Sequence, residues 1–151
     1  MVKLDEVATS VSQALVLQSV IETHRMRNCV RKSNQWSARE VQFLLILSEA
    51  GPLTAGQINK VFVLAPSAMS EMVNELKKGG YVEEIDGGKD KREKLLRLTQ
   101  LAKTHLPNLQ NSLWLCLRDT LRDFSESELG VLAKLGDAVR KNFNNGINSS
   151  Y

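Results

Sequence analysis

Apolar residues recur every three or four positions over much of the chain. Residues 4–32 contain neither glycine nor proline, and their apolar side chains follow helical spacing at Leu4, Val7, Val11, Ala14, Leu15 and Ile21. This period predicts a long first helix. Similar stripes predict long helices towards the end of the chain, at Leu106, Leu109, Leu113, Leu117 and Leu121, and at Leu132, Leu135, Val139 and Phe143. Apolar faces of this length need a partner, so residues 4–32 and 104–143 are expected to form a dimer interface.

Polar capping signals divide the rest of the chain into shorter helices. In a capping box, a Ser or Thr hydroxyl and a Glu or Gln side chain satisfy the first free amides of a helix. Such boxes stand at Ser37 and Glu40, at Thr54 and Gln57, and at Ser125 and Glu128. Pro66 suits the first turn of a further helix that Gly79 and Gly80 end. Its apolar face is expected to pack in the core through Met69, Met72, Val73 and Leu76. The segment from Asn144 onward predicts a frayed tail.

The apolar period changes after Gly80. Residues 81–85 and 93–98 resemble short strands, and the polar, glycine-containing segment 86–92 predicts a turn between them. Two short helices followed by a hairpin are typical of a winged helix-turn-helix. We therefore expect a single domain over residues 1–151, mainly α with a small β-hairpin wing, in which residues 37–103 form the winged helix-turn-helix lobe. The second helix of such a pair can enter a DNA major groove while the hairpin reaches the phosphates or the minor groove.

Basic residues concentrate on the predicted hairpin and its flanks. The net charge of the chain is only +3, but residues 77–103 carry eight Lys or Arg against five Asp or Glu. A basic cluster is often no more than a solvated surface, so charge alone does not identify a polyanionic partner. The order of the elements around the cluster is what favours DNA.

The overall composition is that of one globular domain. The chain has 151 residues, of which 42% are hydrophobic and 25% charged. No apolar run approaches the ~18–20 residues of a membrane span. Asp5 and Glu6 stand where a signal peptide would be basic. These features predict a cytoplasmic protein without a membrane segment.

Three segments give the chain a resemblance to a known family. They are residues 53–58 (LTAGQI), residues 66–81 (PSAMSEMVNELKKGGY), and the wing residues 90–92 (DKR) with the strand-like 95–99 (LLRLT). In these the chain resembles the MarR family of winged helix-turn-helix transcriptional regulators. That family has an Asp-x-Arg motif on the wing and a Leu-Thr at the end of the following strand. The long terminal helices of this chain correspond in position to the family's dimerisation helices.

The resemblance implies a DNA interface with two parts. On the recognition helix, the residues expected to face the major groove are Ser67, Ala68, Ser70, Glu71, Asn74 and Lys77. On the wing, Arg92 is expected to reach the minor groove with Asp90 orienting it, while Lys89 and Lys91 meet phosphates. A two-fold dimer would place its recognition helices ~34 Å apart on a pseudo-palindromic operator.

The resemblance also implies regulation. Members of the family are more often repressors than activators, and they commonly bind a small acidic or aromatic effector between the dimerisation helices and the DNA-binding lobe. The effector favours a spacing of recognition helices that no longer fits DNA. We therefore expect a homodimeric repressor whose partners are double-stranded DNA and a small-molecule effector, with no cofactor.

Glu71 departs from the family, which often has a basic residue at that position, and Glu75 follows one helical turn later. A carboxylate is repelled by phosphate, although it can accept a hydrogen bond from cytosine N4. The alternative hypothesis is a winged-helix module whose acidic recognition helix binds protein. Such a module would act as an antagonist of another regulator, with weak or no DNA binding.

The histidines and cysteines do not show the sequence spacing of a recognised metal or catalytic site. His24 and His105 have no partner at metal-ligand spacing, and Cys29 and Cys116 lack the spacing of a zinc site or a disulfide framework. The cysteines are expected to pack as small apolar side chains, with a redox-sensing thiol as the alternative. The sequence contains no nucleophile elbow, phosphate loop or HExxH motif. The chain is therefore not expected to be an enzyme or to bind a metal, and a small enzyme using His24 or Cys29 is the remaining alternative.

Overall fold

The computed structural model describes residues 4–33, 36–87 and 90–148, and within these ranges the side chains at 4, 22–23, 25–33, 90–92, 109–117 and 148 lie outside the description. The elements in chain order are α1 (Leu4–Ser33), α2 (Ala38–Ala50), β1 (Leu53–Thr54), α3 (Ala55–Phe62), α4 (Pro66–Lys78), β2 (Val82–Gly87), β3 (Asp90–Leu98), α5 (Gln100–Leu121) and α6 (Glu126–Asn148). The chain forms two compact units, Met1–Arg39 and Glu40–Tyr151.

Helix α1 makes up most of the first unit and agrees with the helix predicted over residues 4–32. Asp5 and Glu6 lie in its first turn, where the helix dipole favours negative charge. Large apolar side chains along the helix are exposed to solvent, at Val7, Leu15, Val16, Leu17, Val20 and Ile21. Over its described side chains, the helix therefore leaves much apolar surface exposed.

Local side-chain caps fix the helix starts in the second unit. The Gln57 amide donates to Thr54 Oγ1 at 3.1 Å and the Thr54 amide donates to Gln57 Oε1 at 2.8 Å, which confirms the predicted capping box of α3. The box at the start of α6 is also confirmed. There the Ser125 amide donates to Glu128 Oε2 at 2.8 Å and the Glu128 amide donates to Ser125 Oγ at 3.4 Å. Thr99 caps α5, as the sequence predicts.

The sheet has three antiparallel strands in the order β1-β3-β2. The sequence predicted only the hairpin of β2 and β3. Strand β1 was missed because two residues, Leu53 and Thr54, show no period of their own. They are strand residues because they pair with Leu96 and Leu95 of β3. The wing is therefore anchored to the helical core by a third strand.

The turn predicted over residues 86–92 lies at the right place in the hairpin, but its predicted bounds are too wide. Strand β2 extends to Gly87 and β3 begins at Asp90, so that Gly87 lies opposite Asp90 after an irregularity in the ladder. The strands are longer than the apolar pattern because backbone pairing does not require apolar side chains on an exposed hairpin. Asp86 and Lys94 face each other across the strands and add an opposite-charge pair.

The core of the second unit collects apolar side chains from α2 to the start of α5. The Phe43 and Phe62 rings, from α2 and α3, lie with their centroids 6.2 Å apart. The buried side chains are Val41, Phe43, Leu44, Leu47, Leu53, Ile58, Met69, Met72, Val73, Leu76, Val82, Leu96, Leu98, Ala102 and Leu106. This core holds the α3–α4 pair and the sheet in place.

The end of α6 belongs to the same core. Helix α6 packs against α3, and Ile147 is buried. The predicted frayed tail from Asn144 is therefore wrong, since α6 continues to Asn148. Asn and Gly are poor helix formers, but burial of Ile147 stabilises the last turn against their low propensity. Earlier in the same helix, Val131 and Val139 are exposed. Across the described segments, no helix has the length and apolar character needed to cross a membrane.

Candidate nucleic-acid interface

The turn between α3 and α4 is held by Asn59. The Asn59 amide group donates from Nδ2 to the Leu64 carbonyl at 3.0 Å, and its Oδ1 accepts from the Leu64 amide at 2.9 Å. The Val63 amide donates to the Asn59 carbonyl at 2.8 Å and closes the end of α3. The three-residue turn 63–65 is thus fixed by one side chain of the preceding helix, which sets the direction in which α4 starts.

Helix α4 has a buried face and an exposed face. Met69, Met72, Val73 and Leu76 are buried, which confirms that both methionines pack in the core. Of the predicted DNA-facing residues, Ser67, Ser70, Glu71 and Asn74 are exposed, and Ala68 is half-buried. The structure therefore brings four of the six predicted residues of this helix to its solvent side.

Lys77 has a different environment from the other predicted residues of α4. Its side chain is half-buried, and Lys77 Nζ lies 2.7 Å from Glu84 Oε1 on β2. This ion pair ties the end of the helix to the wing. A lysine that neutralises a carboxylate offers less attraction to phosphate than the sequence position suggests.

The same pairing recurs along the strands of the wing. Lys94 Nζ lies 2.6 Å from Asp86 Oδ1, and Arg97 Nε lies 2.8 Å from Glu83 Oε1. The hydrogen bond and charge of Asp86 raise the pKa of Lys94 above its ordinary value. Every acidic residue of β2 therefore has a basic partner.

Lys78 is paired within its own helix. Its Nζ lies 2.8 Å from Glu75 Oε1, and that hydrogen-bonded carboxylate raises the pKa of Lys78. With the three pairs to β2, four of the eight basic residues of 77–103 are engaged by carboxylates. The sequence count of eight basic residues therefore overstates the positive charge that the described strands and helix end offer to DNA.

The predicted wing residues lie at that tip. Residues 90–92 form the start of β3, and the side chains of Asp90, Lys91 and Arg92 lie outside the described part of the chain. Lys89 lies outside the described residues altogether. Their assignment to DNA stays a prediction, and the structure supplies the antiparallel hairpin that carries them.

A groove in the second unit has the size to hold a small molecule. It has a volume of about 500 Å³ and lies between the end of α2, the end of β3 and the first turn of α5. Its lining residues are Leu47, Ser48, Gly51, Pro52, Arg97, Leu98 and Lys103. Lys103 and the apolar side chains of Leu47 and Leu98 suit a carboxylate with an apolar body, and Arg97 lies beside them in its pair with Glu83. Sequence reasoning did not identify this groove because its residues come from three separate segments.

The remaining candidate residues do not gather into a site. Within the described residues, no three His, Cys, Asp or Glu side chains are placed to hold a metal ion. His24 is exposed, and the His105 ring lies with its centroid 6.0 Å from that of Tyr81. The side chains of Cys29 and Cys116 lie outside the description, so the choice between packing and redox roles stays open.

The winged helix-turn-helix is similar in sequence to known regulators. A family model described as MarR family matches residues 37–93. An uncharacterised HTH-type transcriptional regulator of Bacillus subtilis (strain 168), YcgE, is 32% identical over 87 residues, which are 58% of this chain and 56% of that protein. The match thus spans about half the length of this curated relative.

Solved structures extend the likeness to nearly the whole chain. A MarR family protein from Bacillus stearothermophilus has a TM-score of 0.68 at 18% identity, covering 94% of this chain and 99% of the other. The regulator BldR from Sulfolobus solfataricus has a TM-score of 0.62 at 20% identity, covering 93% and 99%. A mutant MarR from E. coli, complexed with operator DNA, has a TM-score of 0.58 at 16% identity, covering 91% and 99%.

At such identities the structures show a common fold. The expected mainly helical fold with a β-wing is confirmed, with one strand more than predicted. Over residues 37–93 the chain is similar in sequence to the MarR family, and its fold is that of solved MarR-family structures.

Proposed function

We propose that this protein is a homodimeric regulator that binds a specific double-stranded DNA sequence and represses transcription from it. The proposal rests mainly on α4, which has one buried face and one exposed polar face. Its buried face fixes the helix on the core, while Ser67, Ser70, Glu71 and Asn74 stand exposed behind a turn that Asn59 holds rigid. A helix presented in this way can enter a major groove and meet base edges. The operator complex of the E. coli relative supports the same use of the fold.

The wing supplies the second contact in this proposal. Arg92 enters the minor groove with Asp90 orienting it, and Lys89 and Lys91 meet phosphates. The ion pairs of Lys94 and Arg97 with β2 support this division, because a lysine or arginine that neutralises a carboxylate on the strands attracts phosphate less. Arginine in a narrow minor groove is attracted by its negative potential.

Dimerisation uses the apolar faces of the terminal helices. Leu17 of α1 is 65% exposed and Val131 of α6 is 65% exposed, together with their apolar neighbours on each helix. Contiguous apolar surface of this kind marks an interaction site. A two-fold axis through residues 4–32 and 104–143 would set two winged-helix lobes of residues 37–103 on a pseudo-palindromic operator.

Regulation is proposed to come from a small carboxylate-bearing effector. The groove has the volume for such a molecule, and Lys103 supplies a cation beside the Arg97–Glu83 pair. An occupied groove would bias the spacing of the recognition helices and release DNA. Because chromosomal DNA is its proposed ligand, we expect the protein to act in the cytoplasm. No catalytic step is proposed for it.

The test starts from DNA selected by the full-length chain out of a random-sequence pool. Arg92→Ala is expected to weaken binding to the selected duplex by ~1–3 kcal/mol and to reduce the salt dependence by about one ion. Arg39→Ala removes an exposed arginine of α2 that lies outside both the proposed DNA contacts and the proposed dimer interface, and it serves as the matched control. If both variants bind like the wild type and no binding depends on salt, the DNA assignment is wrong and a protein-binding module replaces it.

Glu71 provides a separate test of how α4 meets DNA. Glu71→Gln keeps the shape and removes the charge. If the carboxylate only repels phosphate, the variant binds all duplexes more tightly. Weaker binding to the selected duplex with unrelated DNA unaffected would instead show that Glu71 accepts a hydrogen bond from a cytosine.

A further inference from the structure

Val63 has an unusual backbone conformation. Its φ of 52° and ψ of 49° lie in the left-handed region, and within residues 4–33, 36–87 and 90–148 it is the non-glycine residue with positive φ. A β-branched side chain is a poor choice for this region, because its Cβ substituents crowd the backbone. Glycine or asparagine would adopt the same conformation with less strain.

The Val63 side chain has little packing that could offset this backbone strain. The residue is 84% exposed, the highest value among the exposed large apolar side chains of the described chain. The turn is held by backbone and Asn59 interactions alone, through the Val63 amide and both polar groups of Leu64. The isopropyl group is therefore not needed to form the turn.

The position of Val63 suggests that its isopropyl group contacts DNA. The residue lies in the turn that leads into α4, and the N-terminal end of a recognition helix is the part that meets base edges. The apolar feature of the major groove is the C5-methyl group of thymine. Strained residues that the structure holds in place cluster at functional sites.

We propose that Val63 is a specificity-determining residue whose isopropyl group packs against a thymine methyl group in the operator. This inference rests on the proposed DNA binding and adds one base preference to it. The contact is apolar and carries no charge, so it selects sequence without adding to the general attraction for phosphate.

Val63→Gly in the full-length protein is the first test. It removes the isopropyl group and relieves the backbone, so the midpoint of thermal unfolding is expected not to fall. Affinity for the duplex selected by the wild type is expected to fall about fourfold for each half-site, the effect of one buried methyl group. The matched control is Val61→Ala, which truncates a 49% exposed valine in the regular backbone of α3 and should leave affinity unchanged.

Replacing thymine by deoxyuridine at each position of the selected duplex identifies the contact. Deoxyuridine lacks only the methyl group. At one position of each half-site the wild type should lose about fourfold in affinity, while Val63→Gly should bind the substituted and unsubstituted duplexes equally.

The outcomes separate this inference from the proposed function. If the wild type binds no DNA in a salt-dependent manner, the proposed function fails. If the wild type binds and Arg92→Ala weakens it, but Val63→Gly binds as tightly as the wild type, the Val63 contact alone is wrong. It is also wrong if no deoxyuridine position distinguishes the wild type from Val63→Gly, since the side chain then touches no thymine methyl group.

Discussion

The winged helix-turn-helix and the long terminal helices use their apolar residues in opposite ways. In the former, Phe43, Leu44 and Ile58 are completely buried. In the latter, apolar side chains such as Val16 and Leu17 on α1 and Val131 on α6 remain largely in solvent. The compositions are similar, so the difference lies in what each region packs against.

This contrast shows which part of the chain buries its apolar side chains without a partner. Burial of apolar side chains is the main stabilising term of a fold, and the winged-helix lobe has it within one chain. On α1 and the middle of α6, by contrast, apolar side chains such as Leu17 and Val131 remain exposed. They are therefore expected to be covered by a second copy, which gives the proposed regulator its two-fold arrangement.

The largest expected effect is on the terminal helices. Leu17→Asp would place a charge in the proposed dimer interface, where a buried and unpaired carboxylate is strongly unfavourable. The variant is expected to be monomeric at micromolar concentration by light scattering, while the wild type is dimeric. Gln100→Asp introduces the same charge at an exposed position at the start of α5, outside residues 4–32 and 104–143, and should remain a dimer. A monomeric wild type would contradict the proposal that a second copy covers the exposed apolar side chains of the terminal helices.

The next largest effect is expected in the lobe. Leu76 is almost fully buried on α4, and Leu76→Ala should reduce the free energy of unfolding by ~2–5 kcal/mol, because the cavity cannot collapse completely. Urea unfolding at one fixed protein concentration measures it. Val61→Ala, at a half-exposed position of α3, should change stability by much less. Equal losses in the two variants would mean that the lobe has no well-packed core around α4.

A smaller effect is expected at the start of α3. Thr54→Ala removes the hydroxyl that accepts from the Gln57 amide, and should cost ~1 kcal/mol of stability. Thr54→Ser keeps the hydroxyl and should behave nearly like the wild type in the same urea experiment. A loss of equal size in both variants would assign the effect to the methyl group of Thr54 and not to the cap.

The smallest effect concerns the start of α6 and depends on pH. Hydrogen bonds from the Ser125 hydroxyl and amide hold the pKa of Glu128 below its ordinary value. The ionised carboxylate therefore contributes stability that is present above the pKa of the unfolded chain and is lost as the pH falls through the folded pKa. NMR titration of the Glu128 carboxyl should show a higher pKa in Ser125→Ala and little change in Ser125→Thr. An unchanged pKa in Ser125→Ala would show that the hydroxyl does not set it.

Local signals in the sequence predicted local structure well. The capping residues Thr54, Thr99 and Ser125 each start a helix as expected, because a cap acts through amides three residues away. The buried face of α4 also follows from spacing alone, since Met69 and Met72 lie on the same side as Leu76. These features need no knowledge of the rest of the chain.

Structure that depends on distant partners was missed. Leu53 is a strand residue only because Leu96 lies beside it, and the last turn of α6 is ordered because Ile147 finds the core. The candidate site shows the same limit. Lys77 was assigned to DNA by its place in the motif, but its partner Glu84 belongs to another element. Val63 was overlooked because no propensity predicts a left-handed valine.

The central claim is that two winged-helix lobes, joined through the terminal helices, bind one DNA duplex. The most direct measurement is the affinity of the full-length chain for duplexes that carry two copies of the selected half-site at varied spacing and salt. The account predicts tightest binding when the half-site centres are about one helical turn apart, with a steep loss of affinity as salt increases. Equal binding at all spacings, or binding that does not depend on salt, would contradict it.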